Sequence, residues 1–199
     1  MVFHHDIFPM PNGNILMLAA TILTYQDAIQ LGRNPEYLGK ELYNEQILEL
    51  KPIGKDDAKI VWQWDIKDHL IQDFDDTKSN FGVVSNNPQR LDINYLGGSV
   101  VKDPNWLHVN SIQYNDRLDQ IIISTRSLSE IYIIDHSTTT SEAASSSGGK
   151  YLKGGDLLYR WGNPIAYGQG TIADQNLFGQ HYPNWIPEGY VDAGKIMIF

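Results

Sequence analysis

Four of the six histidines in this chain stand where an apolar strand pattern begins, which makes them the first candidates for chemistry. His4 and His5 open the segment HHDIFPMPNGNIL, His108 lies in WLHVNSIQYN, and His181 lies in FGQHYPNWIPEG. An imidazole can ligate a metal ion, transfer a proton or attack an electrophile as a nucleophile. If the fold brings these four rings together, all three kinds of chemistry are open to them.

Two further polar residues belong to the same segments. Alternation along a strand puts His108 and Asn110 on one face, where an amide would stand beside the imidazole; a satisfied pair of core polar groups is the alternative. Arg126 ends the apolar run IIIST, and its guanidinium suits an anion clamp, with a surface pair to Glu130 as the alternative. Because an arginine and a metal ion repel each other, Arg126 favours an anionic substrate and argues against a metal site.

The remaining histidines, His69 and His136, lie at strand ends beside loops. We expect their rings to be solvated and to take no part in function. No HExxH, Walker or GxSxG motif occurs in the chain. No such zinc, nucleotide or serine-hydrolase signature therefore competes with the four histidines described above.

Three repeated units must position these residues. The units begin near residues 4, 107 and 180, and each runs from a histidine through a turn into an apolar strand, as a β-hairpin does. Third and fourth strand patterns follow in the first two units, at 45–52, 58–66, 129–137 and 155–164. Repeats of four strands predict an all-β chain built of β-propeller blades, whose inner strands line a central channel; a β-sandwich is the alternative. In a propeller the histidines would converge on that channel.

Three stretches interrupt the strand patterns, at 24–40, 68–98 and 136–155. The last is rich in Ser, Thr and Gly, and we expect it to contain too little apolar surface to pack. The chain enters a strand pattern almost at once and stops in GKIMIF, within another strand pattern. We therefore expect residues 1–199 to be a partial propeller domain of two to three blades.

Composition excludes several classes of function. The net charge of −9, with 15 Lys and Arg, argues against nucleic acid binding, which needs a basic surface. No apolar run approaches the roughly 18 residues of a membrane span. The absence of cysteine excludes disulfides and thiol chemistry.

Six segments together resemble the bacterial aryl-sulfate sulfotransferases: HHDIFPMPNGNIL, VWQWDIKDHLIQDFD, WLHVNSIQYN, STRSLSEIYIIDHSTTT, GGDLLYRWGNP and FGQHYPNWIPEG. The resemblance implies a six-bladed propeller, either periplasmic or secreted. It also implies transfer of a sulfuryl group from a phenolic sulfate ester to another phenol, with no cofactor and no nucleotide sulfate donor. Its partners would be those small molecules, and a homodimer is one open arrangement of the chain.

The resemblance also assigns roles to residues. It implies that His181 is the nucleophile that forms a sulfohistidine, and that His108 and Asn110 form the H-x-N element. Arg126 matches the arginine downstream of that element, and one more active-site histidine matches His5 or His4.

Proline spacing favours His5 over His4, because the distance from His5 to Pro11 repeats the distance from His181 to Pro187. His4 then remains a candidate substrate-binding residue. Two other functions stay open: a non-catalytic interaction module, and a metal-binding propeller that uses His5, His108 and His181 as ligands.

Overall fold

The computed structural model describes residues 1–199 and is mostly β-sheet, which confirms the all-β prediction. Its strands are β1 (Val2–Pro9), β2 (Ile15–Thr24), β3 (Glu41–Ile53), β4 (Asp57–Asp65), β5 (Leu70–Ile71), β6 (Leu91–Asp92), β7 (Val109–Asn115), β8 (Gln120–Thr125), β9 (Glu130–Asp135), β10 (Tyr159–Trp161), β11 (Asn184–Trp185) and β12 (Ile196–Met197). Two short helices, α1 (Tyr25–Gln30) and α2 (Thr140–Ala143), lie between them. None of the helices has the length and apolar character needed to span a bilayer.

The strands form two antiparallel sheets of four, in the order in which the repeats predict them. The first sheet runs β1-β2-β3-β4 and the second runs β7-β8-β9-β10, so each is a simple meander. In the first hairpin the chain reverses at Asn12-Gly13, where Gly13 has a φ of 84° that a glycine adopts without strain. β11 and β12 form a third, shorter hairpin.

A shared hydrophobic core joins the two sheets. Its buried members include Leu16, Leu18 and Ile47 from the first sheet and Ile121 and Ile123 from the second. Ile122 points to the opposite face of β8, where it packs with buried residues of β9 against the β11–β12 hairpin. The run of isoleucines in β8 is thus explained by burial on both faces.

The first strands of the units lie next to one another. β1 contacts β7, and β7 contacts β11. A hydrogen bond ties the first pair together, because the Ile112 backbone N–H donates to Oδ2 of Asp6 over 3.0 Å. The segments that begin with histidine therefore lie beside one another.

The segment 136–155 is packed, and the expectation that it would not be is wrong. Trp62 Nε1 donates to Oγ1 of Thr138 over 3.1 Å, and Trp64 Nε1 donates to the Gly155 carbonyl over 2.8 Å. A side chain at Gly155 would collide with the ring of His69 and the carbonyl of Ala143. Indole hydrogen bonds and close backbone approach thus supply the packing that apolar composition does not.

A buried arginine organises the chain just before His108. The Arg33 guanidinium donates to the Ile93 carbonyl and lies 5.3 Å from the centre of the Trp106 ring. Burial lowers the pKa of Arg33 to about 10. Trp106 itself donates to the Tyr43 carbonyl over 3.2 Å. These contacts hold the 24–40 and 68–98 segments against the entry to β7.

Candidate active site

Three residues with left-handed backbone mark the same point in each unit. His5 has a φ of 55°, His108 of 50° and Tyr182 of 55°. Residues other than glycine seldom adopt this conformation, and when they do they concentrate at functional sites. By this backbone criterion His5 corresponds to His108 and to Tyr182, so His181 corresponds to His4. Proline spacing instead matches His181 with His5, so the two criteria differ by one residue.

The structure brings together histidines that are far apart in the sequence. The ring centres of His5 and His108 are 4.7 Å apart, and those of His4 and His5 are 5.1 Å apart. His181 lies near enough for its charge to act on both His5 and His108, and Arg126 acts on His108. The cluster joins residues of the β1, β7 and β11 units, with Arg126 following β8.

The environment keeps two of these imidazoles neutral. Burial lowers the pKa of His5, and the neighbouring charges of His4 and His181 lower it further. The pKa of His108 is lowered by burial, by His5 and by Arg126. At neutral pH both rings therefore have a lone pair on one nitrogen and a hydrogen on the other.

Arg126 lies beside the cluster, where its charge acts on His108, and it lines a cavity. The side chain is exposed and makes no hydrogen bond or ion pair within the chain, while its backbone N–H donates to the His108 carbonyl over 3.1 Å. The alternative pair with Glu130 does not form. Glu130 is buried and accepts a hydrogen bond of 2.9 Å from Nε of Arg160 instead. Arg126 therefore has five N–H donors available for an anion.

Asn105, which no sequence pattern singles out, orients the ring of His108. The His108 backbone N–H donates to Oδ1 of Asn105, and Nδ2 of Asn105 lies 3.2 Å from Nδ1 of His108. Because the backbone contact fixes which amide atom is the oxygen, Nδ2 is the donor and Nδ1 of His108 the acceptor. Nε2 of His108 then carries the hydrogen. An Asn three residues before a left-handed residue is too common a turn pattern to reveal this role.

Asn110 holds the segment that carries His181. Its Nδ2 donates to the Gln180 carbonyl over 3.0 Å, and the Gln180 side chain donates to Oγ of Ser124 over 2.9 Å. Strand alternation does not relate Asn110 to His108, because β7 begins only at Val109 and its register with β8 shifts between Val109 and Ser111. In this structure Asn110 supports the backbone next to His181.

His4 contacts the buried carboxylate of Glu45, which no sequence pattern singles out. Its Nε2 lies 2.9 Å from Oε2 of Glu45, and its Nδ1 lies 2.9 Å from Nδ1 of His5. Burial by itself lowers the pKa of His4, but Glu45, with a smaller contribution from the Ala19 backbone, outweighs it and raises that pKa. Both ring nitrogens of His4 are thus engaged within the chain.

The expectation that His69 and His136 are solvated is wrong. His69 is fully buried, stacks on Trp64 with ring centres 5.2 Å apart, and contacts Asp156 and the Ala143 carbonyl at 2.9 and 2.8 Å. His136 contacts Asp119 and Glu49 at 2.7 and 3.0 Å. The loops beside these residues fold back over them, which strand-end position alone does not reveal. Neither ring belongs to the cluster.

Two cavities flank the cluster. One of about 460 Å³ opens beside Arg126 and is lined by Tyr95, Ile172 and Phe178 among other residues. A smaller one, of about 120 Å³, lies against His4 and His5. The larger volume is within the range of cavities that take small organic ligands.

The alternative of a metal site gains no support from this geometry. No group of three or more His, Asp or Glu side chains is arranged to hold a metal ion. The site instead combines unpaired imidazole nitrogens with a free guanidinium, a set that suits attack on an anionic ester.

A family model described as Arylsulfotransferase (ASST) matches residues 1–199. The chain therefore belongs to the arylsulfotransferase family, and this membership supports arylsulfotransferase activity in general and small phenolic substrates. No curated protein and no solved structure matches the chain.

Proposed function

We propose that this protein transfers a sulfuryl group from a phenolic sulfate ester to another phenol through a sulfohistidine on His181, without a nucleotide sulfate donor. One observation carries the proposal: an unpaired histidine lies beside a free arginine and two neutral histidines. A nucleophile, an anion clamp and proton carriers are the parts that this reaction needs.

In the first half-reaction a neutral His181 nitrogen attacks the sulfur. An N–S bond forms, the S–O bond to the aryl group breaks, and the phenolate leaves with the bonding electron pair. Arg126 and Nε2–H of His108 donate to the sulfuryl oxygens, whose charge changes in the transition state. His5 gives the proton of one ring nitrogen to the departing phenolate oxygen and takes up another on its second nitrogen, so the ring stays neutral.

The second half-reaction runs in reverse with a new phenol. His5 takes the proton of the acceptor hydroxyl, the acceptor oxygen attacks the sulfur, and the N–S bond to His181 breaks. The product is the new sulfate ester, and His181 is neutral again. We assign the aryl ring to the cavity of about 460 Å³ beside Arg126, because Tyr95, Ile172 and Phe178 offer it apolar surface.

We further propose that the two four-stranded sheets are neighbouring blades of a six-bladed propeller and that a third blade begins near residue 180. The meander order of each sheet and the contacts among β1, β7 and β11 support this arrangement. First strands that lie side by side are the geometry of a propeller channel. The histidine cluster would then face that channel.

A burst experiment tests the covalent mechanism. Wild-type protein mixed with an aryl sulfate and no acceptor should release about one phenol per active site. Mass spectrometry should then find one sulfuryl group on the peptide that contains His181, and added phenol should remove it. His181→Asn should abolish the burst, whereas His108→Asn and His5→Asn should retain part of it, because the attacking nitrogen survives in both.

Other outcomes of that experiment are equally definite. An adduct on His108 or His5 would overturn the assignment of the nucleophile and leave the reaction class intact. Sequential kinetics without an adduct would remove the covalent mechanism. A folded wild-type protein that releases no phenol would point to the interaction module instead.

A further inference from the structure

A carboxylate and two imidazoles form a continuous chain of contacts that ends in the candidate site. Oε2 of Glu45 lies 2.9 Å from Nε2 of His4, and Nδ1 of His4 lies 2.9 Å from Nδ1 of His5. Glu45 is on β3, so the chain begins inside the first sheet and reaches the cluster through β1. His5 is exposed at the end of it.

The buried end of this chain requires a positive charge. The side chain of Glu45 is 4% exposed and that of His4 is 19% exposed. Nε2 of His4 and Oε2 of Glu45 are both shut off from solvent, and neither has a hydrogen-bond partner of ordinary geometry, so their 2.9 Å contact is an ion pair. A buried carboxylate without a cation is strongly disfavoured. His4 is the group in contact with it, and the charge therefore rests on His4.

The charge on His4 determines where the hydrogen of His5 lies. Two Nδ1 atoms 2.9 Å apart need one hydrogen between them, so one atom donates and the other accepts. A cationic His4 has a hydrogen on both nitrogens and must be the donor. His5 then accepts at Nδ1, stays neutral, and has its own hydrogen on Nε2. The raised pKa of His4 and the lowered pKa of His5 agree with this assignment.

We propose that Glu45 and His4 are positioning residues that hold His5 as the Nε2–H tautomer and resupply its proton during aryl sulfate cleavage. This inference rests on the proposed function. His5 gives its Nε2 proton to the phenolate oxygen, and the Nδ1 proton of His4 moves to Nδ1 of His5. His4 is then neutral with its hydrogen on Nε2, facing the Glu45 carboxylate. The acceptor phenol returns a proton along the same path in the second half-reaction.

Several other charged groups face this chain and contribute to its pH dependence. His5 is influenced by His181 and by Asp6 in addition to His4 and Glu45. His108 and Arg126 act from the β7 and β8 side of the cluster. Tyr43 lines the small cavity beside His4. A variant that changes Glu45 alone leaves all of these groups in place.

The test is Glu45→Gln, with Glu49→Gln as the matched control. Glu49 is also buried, lies four residues further along β3, and contacts a histidine, but that histidine is His136, outside the cluster. Glu45→Gln keeps the shape of the side chain and removes the charge. We expect phenol release to slow by about 10-fold to 100-fold, part of the contribution of a general acid.

Two readouts separate a proton relay from a merely structural role. Proton delivery needs cationic His4, so release falls as pH rises through the raised pKa of His4. Without the Glu45 charge, burial dominates, and we expect this fall at lower pH in Glu45→Gln but unmoved in Glu49→Gln. Release of an electron-poor phenol, which leaves without a proton, should be slowed less by Glu45→Gln than release of an electron-rich one.

Nitrogen-15 NMR of the wild-type protein tests the same inference without activity or a variant. We expect His5 to carry its hydrogen on Nε2 and His4 to titrate above an ordinary histidine. A hydrogen on Nδ1 of His5 would overturn the proposal, as would an active Glu45→Gln whose pH profile and leaving-group dependence match those of Glu49→Gln. If the wild type gives no phenol burst, the transferase proposal fails, while the NMR result still reports on the His4–His5 pair.

Discussion

Strand β3 carries two buried carboxylates, Glu45 and Glu49, and each contacts a histidine from another part of the chain. The two pairs end differently. Glu49 also accepts a hydrogen bond from Nδ2 of Asn12 over 3.2 Å, and the other nitrogen of His136 contacts Asp119. We call this network closed, because both ring nitrogens of His136 and the carboxylate of Glu49 have partners within the chain.

The network that begins at Glu45 and passes through His4 to His5 is open, because one nitrogen of His5 has no hydrogen-bond partner within the chain. The partner of His4 is His5, whose Nε2 makes no hydrogen bond within the chain, and beyond it lie the unpaired side chains of His181 and Arg126. A fully satisfied polar network makes a structure rigid, whereas polar groups left unpaired at an exposed convergence are available to a ligand. Under the proposed function, the same residue types serve stability around Glu49 and chemistry around Glu45.

Among changes near the open network, Arg126→Ala should lower the transfer rate most. Loss of an anion clamp should lower the transfer rate about 100-fold, the scale of a lost oxyanion donor. The unfolding free energy should change by less than about 0.5 kcal/mol, because the exposed guanidinium has no partner to lose. Arg126→Lys should restore part of the rate, since a point charge cannot reproduce the planar fork.

Arg117→Ala is the control for Arg126, because that arginine is exposed and lies 3.9 Å from Glu188. Steady-state transfer and urea unfolding should be measured for both variants. A transfer rate for Arg126→Ala equal to that of Arg117→Ala would remove the arginine from the site.

His136→Ala, in the closed network, should have the opposite effect: it should lower stability and leave the transfer rate unchanged. It leaves the carboxylates of Glu49 and Asp119 without their shared donor, so we expect a loss of about 2 kcal/mol in unfolding free energy. The transfer rate per folded molecule should not change. Urea denaturation measures the unfolding free energy. The amplitude of the phenol burst gives the concentration of active sites, by which the transfer rate is divided.

His5→Ala should do the reverse of His136→Ala and lower the transfer rate strongly. Its unfolding free energy should hardly change, because the His5 ring is exposed. If both histidines affected stability equally, the distinction between a closed and an open network on β3 would be lost.

Asn105→Ala should lower the transfer rate less than Arg126→Ala or His5→Ala does. It removes the hydrogen bond that orients His108, and a single neutral hydrogen bond contributes about 0.5–1.5 kcal/mol, so transfer should fall by up to about tenfold. Asn176→Ala, which removes an exposed local contact, is the matched control. A rate for Asn105→Ala that equals the control rate would show that His108 is oriented without this amide.

Local pattern in the sequence determined the elements and their order. The four-strand units, the hairpin turns and the histidine that begins each unit follow from alternation, turn residues and repetition, which act over a few residues. The run of isoleucines in β8 identified a strand in the same way. The family resemblance rested on short segments of this kind and is confirmed by the family match.

Tertiary structure alone decided which polar groups are satisfied. His69 and His136 are buried because loops fold back over them, Asn110 holds Gln180 because β7 meets the segment before His181, and Glu45 lies within reach of His4 because β3 pairs with β2, which pairs with β1. Such contacts join residues separated by tens of positions. Strand periodicity states which face a side chain takes but not what packs on that face, so burial, partners and protonation follow only from the assembled sheets.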